Sequence, residues 1–378
     1  MITLSRPKAM NALSLGMVRG IAGALRQWKD DTKIHAIAVR GSDKNGPFGN
    51  FCAGGDIRFF HEVALAGTPE LEDFFTEEYA LNYLTHHLGK PLIAFLDGIV
   101  FGGGMGLCQG ATHRLVTPRT KMAMPETLIG LFADVGGGYF LGRCPGAAGE
   151  WMALTGQHID ADQAIALDLA DWHIEAAQQA IAWDTLATLD WTKAHALDAW
   201  LQLHTVAAQA GPVFPDMQVW GLINRHFAHA TVGDIFRSLE ADPDPWAQET
   251  AAGLRKRSPL MLHVALEHVR RARTMSLADD LRMERDMVRH CFHSAHLGRS
   301  GAATDTVEGI RALVIDKDQN PQWNPAQVEE VTPDMVEPFF QSPWPVFAHP
   351  LKDLLSRARV SGGAPSSRAL LPACLHGP

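Results

Sequence analysis

Gly102-Gly103-Gly104-Met105-Gly106 follows shortly after the apolar run Pro91 to Leu96, and this pairing limits what the chain can fold into. An apolar strand that runs into consecutive glycines leaves its main chain bare, so peptide N–H groups can approach a ligand that side chains would hold off. A second glycine pair, Gly54-Gly55, lies between Phe51-Cys52-Ala53 and Asp56-Ile57-Arg58. Two such segments can aim two backbone donors at one oxygen atom, which is the outline of an oxyanion hole. Met124-Pro125-Glu126-Thr127 follows further on. Pro125 has a fixed φ and no N–H, so the Glu126 carboxylate is carried on constrained backbone.

Around these motifs, short strand-like and helical segments alternate. Ile2 to Leu4, Ala36 to Val39, Pro91 to Leu96 and His113 to Thr117 read as strands. Ser14 caps a helical pattern at Leu15, Val18, Ile21, Leu25 and Trp28, and Glu72 to His87 and Gly104 to Gly110 also read as helical. This order predicts an α/β core with a sheet covered by helices. From Ala161 the pattern becomes almost wholly helical, with long stretches at Lys193 to Ala208 and Ser276 to Cys291. Val360 to Pro378 is rich in Ser, Gly, Ala and Pro and reads as a mobile tail.

Glu126 has the apolar neighbours Met122, Ala123, Met124, Leu128 and Ile129. Desolvation in such company raises a carboxyl pKa and suits proton transfer or nucleophilic attack near neutrality. Asp134 precedes Gly136-Gly137-Gly138, a position that also suits an ordinary turn residue. Gly104-Met105-Gly106-Leu107-Cys108-Gln109-Gly110 has one residue too many for a dinucleotide-binding G-x-G-x-x-G.

The two glycine motifs followed by Met-Pro-Glu resemble the crotonase, or enoyl-CoA hydratase/isomerase, superfamily. The run Met124 to Phe140 is similar to its 3-hydroxyisobutyryl-CoA hydrolase branch, and the likeness resumes at Val307 to Pro321. The resemblance implies a spiral core of strand-strand-helix units over 1-175 and an α-helical C-terminal region over 176-345 that completes the acyl pocket; it stops near 345, and 346-378 is read as a tail. It implies that the Gly55 and Gly103 N–H groups hold a thioester oxygen, that Glu126 and Asp134 are catalytic, and that Glu78 contacts the acyl 3-hydroxyl. It also implies that CoA enters as part of the substrate, that no separate cofactor is needed, and that the chain can form a homo-oligomer. Hydratases of the superfamily carry a Glu at the position of Gly106 and use it with the Met-Pro-Glu carboxylate. With no side chain there, thioester hydrolysis is favoured over hydration. An enoyl-CoA isomerase working with Glu126 alone, or a non-catalytic acyl-CoA-binding module, are the rival readings.

A net charge of -9 provides no broad basic field for nucleic acid. Arg6, Lys8, Arg58, Lys90, Arg119, Lys121 and Arg143 lie near the motifs in sequence, and most read as solvated surface charges. The five cysteines lack C-x-x-C spacing, so neither a disulfide framework nor a zinc site is expected. The start of the chain has no basic segment followed by an apolar stretch, and a cytoplasmic location away from membranes is expected. His86, His87, His290, His293 and His296 show no metal-ligand spacing, and Trp172, Trp183, Trp191 and Trp200 read as helix-packing residues.

Overall fold

The computed structural model describes residues 1–44, 46–207 and 216–355. Strand β1 (Ile2–Leu4) leads through α1 (Leu15–Lys29) to β2 (Ile37–Gly41), which leads through α2 (Ile57–Ala66) and α3 (Glu70–His86) to β3 (Leu92–Leu96). Then come β4 (Ile99–Phe101), α4 (Gly103–Gln109), β5 (His113–Val116) and β6 (Lys121–Ala123). With β7 (Trp172–His173) and β8 (Val206–Ala207), the main sheet has the order β1-β2-β3-β5-β7-β8, while β4 and β6 form a separate pair. All ladders are parallel except β7 with β8.

Local chemistry accounts for these elements. The Ser14 hydroxyl accepts the Met17 N–H and caps α1, whose Val18, Ile21, Ala22 and Leu25 turn into the core. Every residue of β3 is buried, as expected for a parallel strand covered on both faces. Leu92, Ala94 and Leu96 enter the main core, while Ile93 and Phe95 enter a second apolar cluster with Trp183, Leu186 and Trp200. Phe95 and Trp183 meet edge to face with ring centroids 5.3 Å apart.

The sequence β3-β4-α4 is one strand-strand-helix unit, and it brings the two glycine motifs together. Cys52 bridges to Val100 of β4: its N–H donates to the Ile99 carbonyl at 3.0 Å, and its carbonyl accepts the Phe101 N–H at 2.9 Å. Gly54-Gly55 therefore runs beside Gly102-Gly103.

Helices dominate the rest: α5 (Gly137–Leu141), α6 (Ala148–Thr155), α7 (Ala161–Ala166), α8 (Gln179–Ala187), α9 (Ala196–His204), α10 (Met217–Phe227), α11 (Val232–Ala241), α12 (Pro245–Leu254), α13 (Pro259–Ala272), α14 (Leu277–Phe292) and α15 (Asp305–Ile310). Helix α13 packs on α5 and α6, and α14 packs on α3 and α5. One buried apolar cluster runs from Leu4 through Val307 and Phe339 to Leu351, so the β-rich and helical parts share a core.

The helical stretch expected at Lys193 to Ala208 is shorter: α9 ends at His204, Thr205 is extended, and Val206-Ala207 pairs with β7. Trp172 lies in a strand rather than a helix. Two-residue strands have no periodicity to read, which is why both were missed. Within the stretch assigned to a tail, Leu351 is buried and the Leu355 carbonyl accepts the Tyr83 hydroxyl at 2.8 Å. Residues 356–378, which include the glycine- and proline-rich end, lie outside the described residues. Among the described residues no helix is long and apolar enough to cross a membrane.

Candidate active site

Gly54 and Gly102 both adopt positive φ, at 104° and 46°, a region that disfavours side chains. Gly55 pairs with Leu13 in a parallel bridge: the Leu13 N–H donates to the Gly54 carbonyl, and the Leu13 carbonyl accepts the Asp56 N–H. In that pattern the N–H of Gly55 itself points away from Leu13. Gly103 is the first residue of α4, where a helix leaves its N–H without an internal acceptor. A Cβ on Gly103 would stand 3.4 Å from the Gly55 nitrogen and 2.6 Å from Glu78 Oε1, so the Gly55 amide and the Glu78 carboxyl both lie close beside Gly103. This arrangement can grip a carbonyl oxygen that is gaining negative charge.

Gly55, Gly103, Glu78, Glu126 and Asp134 all line one cavity of about 300 Å³. Its apolar walls include Ile57, Phe60, Phe101, Leu128, Ile129 and Leu131. Glu126 opens a short 3-10 turn, Glu126–Ile129, directly after Pro125. Its Oε1 lies 2.6 Å from where a Cβ on Gly102 would be, and its buried Oε2 finds no hydrogen-bond partner. Burial, then the charge of Asp134, pushes the Glu126 carboxyl well above the usual carboxylate range. Glu78, on α3, is raised by burial and then by Asp134, and its Oε1 is likewise unpartnered. Burial raises Asp134 to about 6, with the Tyr79 hydroxyl pulling the other way by donating to Oδ2 at 2.7 Å. Burial and the charges they share thus raise all three acids of the pocket.

The backbone beside Asp134 is strained. Val135 has φ 59°, a region that a β-branched residue rarely occupies. Its side chain fills the space above Gly106, where an added Cβ would lie 2.5 Å from Val135 Cβ. No carboxylate can be placed at position 106 while Val135 sits there.

Tyr79 and Val135 are two residues beside the pocket acids whose roles sequence reasoning missed. Tyr79 stands beside Glu78, one position along α3, and no pattern marks its hydroxyl for Asp134. Most of the cations near the motifs are engaged within the fold. Arg6 pairs with Asp56 at 2.8 Å, Arg119 pairs with Asp97, Arg58 donates to the Val314 carbonyl, Lys90 donates to the Trp28 carbonyl, and Arg143 lies over the Tyr139 ring. Four cysteines, Cys52, Cys108, Cys144 and Cys291, are buried and unpaired. Sequence reasoning also overlooked His268, which lies fully buried within 3.3 Å of both Asp280 and Glu284.

An amide pair facing a buried carboxyl pair defines a class. The chain belongs to the enoyl-CoA hydratase/isomerase family, whose profile matches residues 1–340. Among its relatives, the protein of Xenopus laevis named 3-hydroxyisobutyryl-CoA hydrolase, mitochondrial, is 36% identical over 345 residues, covering 90% of this chain and 86% of the relative. The human protein of the same name is 35% identical over 345 residues with the same coverage. Among solved structures, a carnitinyl-CoA dehydratase from Mycobacterium thermoresistibile superposes with a TM-score of 0.81 at 36% identity, covering 93% of this chain and 96% of that one. An enoyl-CoA hydratase from Rhodobacter sphaeroides gives 0.77 at 32% identity, covering 90% and 94%.

Proposed function

We propose that this chain hydrolyses the thioester of a short, branched 3-hydroxyacyl-CoA, most directly 3-hydroxyisobutyryl-CoA, to the free acid and CoA, a step of valine breakdown. The observation that carries the reading is Val135 packed over Gly106, which removes the second hydratase carboxylate and leaves Glu126 with Asp134. Relatives at about this level of identity bear the hydrolase name, which supports the same assignment.

In this mechanism the Gly55 and Gly103 amides polarise the thioester carbonyl. Glu126 attacks the carbonyl carbon or aims a water at it, and Asp134 manages the proton that moves between water, the Glu126 carboxyl and the departing sulfur. Two neighbouring buried carboxyls suit this division, since a proton taken from Glu126 can be held by Asp134. The cavity is at the small end for ligand pockets, which fits a short acyl group with the rest of CoA outside. Glu78 takes the 3-hydroxyl in this reading, which its unpartnered buried Oε1 at the cavity wall supports.

Release of thiol from a panel of CoA esters tests the assignment. Free CoA from 3-hydroxyisobutyryl-CoA supports it, whereas isomerisation of an enoyl-CoA with CoA still attached supports the isomerase reading. Single turnover in oxygen-18 water tests the covalent route, because label in Glu126 marks an anhydride opened at the Glu126 carbonyl, and hydroxylamine capture of an acyl group on Glu126 detects an anhydride opened at the other carbonyl. For location, buried free thiols suit a reducing interior. The cytoplasm remains our assignment, although the relatives are named mitochondrial. The division at about residue 175, a helical region that completes the pocket through Leu313, and a homo-oligomer belong to the same proposal.

A further inference from the structure

Helix α14 carries Asp280, Glu284 and Arg285 into the interior, each 1% exposed or less. Buried charges persist only where they are paired or hydrogen-bonded, so each needs a partner. Arg285 finds Glu72 and Thr76 on α3. Asp280 and Glu284 turn the other way and grip the glycine loop behind the active site. Glu284 Oε2 accepts the Gly136 N–H at 2.7 Å and its Oε1 accepts the Gly138 N–H at 3.2 Å, while Asp280 Oδ2 accepts the Tyr139 N–H at 2.7 Å. His268, from α13, places Nε2 3.3 Å from both acids.

This trio resembles a metal-ligand set, with its ligating atoms within 4.8 Å of one another. The site is already filled by other means. The oxygens of the two acids take amide hydrogens, and the His268 imidazole sits between them. A Cβ on Gly138 would land 2.4 Å from His268 Nε2 and 2.6 Å from Asp280 Oδ1, so the loop backbone is pressed against the trio.

The gripped amides begin two residues after Asp134. Between them lies Val135 in its left-handed conformation, a geometry that costs about 1–3 kcal/mol and persists only where the surroundings enforce it. The Gly137 N–H closes the turn on the Asp134 carbonyl at 2.8 Å. The acids of α14 are thus the anchor against which Asp134 and Val135 are held.

We propose that Glu284, Asp280 and His268 are positioning residues for the acid pair. Through the Gly136, Gly138 and Tyr139 amides they fix the turn that presents Asp134 to the pocket and keeps Val135 over Gly106. None of the three lines the cavity. The inference rests on the thioesterase reading and gives the helical C-terminal region a task in that reaction.

The test uses the full chain and 3-hydroxyisobutyryl-CoA, with active sites counted by calorimetric titration of a non-hydrolysable thioether analogue. Glu284→Ala should lower kcat per binding site about 100-fold, the scale of a 1 Å misplacement, with KM within about 3-fold. Glu284→Gln keeps an oxygen for an amide hydrogen and should recover at least about 10-fold of the loss. A purely structural role predicts fewer binding sites with unchanged kcat per site, and that result overturns the proposal. If Glu284→Ala does not fold, Asp280→Ala, which removes the acceptor of the Tyr139 N–H, is compared with Asp280→Asn in the same way, and wild-type kcat per site in Asp280→Ala overturns the proposal. A wild-type chain that releases no thiol overturns the hydrolase reading and this proposal together. An active wild type with indifferent variants overturns this proposal alone.

Discussion

Tyr79 donates its hydroxyl hydrogen to Asp134 Oδ2 at 2.7 Å, and both groups are buried. The bond joins α3, which also carries Glu78, to the loop after Glu126, so one contact ties together the parts of the chain that supply the pocket's acids. It favours the charged form of Asp134 and keeps its titration near 6 despite full burial. Without it, three buried carboxyls would face one another with no donor to distinguish them.

Replacing Tyr79 by Phe should therefore raise the Asp134 pKa further. A net hydrogen bond of about 1 kcal/mol corresponds to about 0.7 of a pH unit. The acid limb of kcat/KM should move from near pH 6 toward pH 7 while the alkaline limb stays in place. A limb that does not move would show that Asp134 is not the group whose ionisation limits the rate.

Glu126→Gln and Asp134→Asn each keep the side-chain shape and remove the titration. Each should lower kcat for thiol release by about 10²–10⁴, the usual range for loss of a general acid or base. Binding of a thioether analogue should persist in both, because the amides of Gly55 and Gly103 are untouched. Loss of binding equal to the loss of rate would point to a collapsed pocket instead.

Gly106→Ala drives a Cβ to 2.5 Å from Val135 Cβ and 3.0 Å from the Val135 carbonyl oxygen. Overpacking of this kind costs about 1–3 kcal/mol, which a urea titration would read as a lower midpoint at unchanged slope. Gly106→Glu should be worse and should gain no hydration of a 2-enoyl-CoA. Adding Val135→Gly should recover part of the lost stability, because the two positions contact each other and their effects are not additive. Additive losses would mean that Val135 does not fill the site.

Much of the pocket was legible in the sequence because backbone chemistry leaves strong marks. Gly54-Gly55 and Gly102-Gly103 announce bare amides, and Pro125 before Glu126 announces a fixed carboxyl. The strands of the α/β core were legible for a similar reason, since a fully buried strand such as Leu92–Leu96 is a continuous apolar run. Interactions between residues distant in sequence were not. Tyr79 reaches Asp134 across 55 positions, and Glu284 reaches Gly136 across 148. Asp280 and Glu284 do stand four apart on one helix face, but the same spacing marks countless exposed acids. Only the packing of α14 on α5 turns that face inward.

The buried trio also predicts how stability depends on pH. Burial alone would lower His268, but its hydrogen bonds to Asp280 and Glu284 outweigh that and raise it from 6.5 to about 9. A histidine raised on folding contributes stability that is fully present below its unfolded pKa and is lost as pH rises through the folded one. The loss therefore falls between pH 6.5 and about 9, with an upper limit of about 3 kcal/mol from the size of the shift. Glu284, raised by burial and then by the charge of Asp280, acts in the same direction, because its neutral form is favoured in the fold. Thermal melts of the wild type should decline across this window in buffers of constant ionic strength. His268→Gln should start from a lower melting temperature at pH 6.5 and decline less steeply toward pH 9. Equal slopes for the two proteins would show that His268 does not carry its proton between the acids of α14.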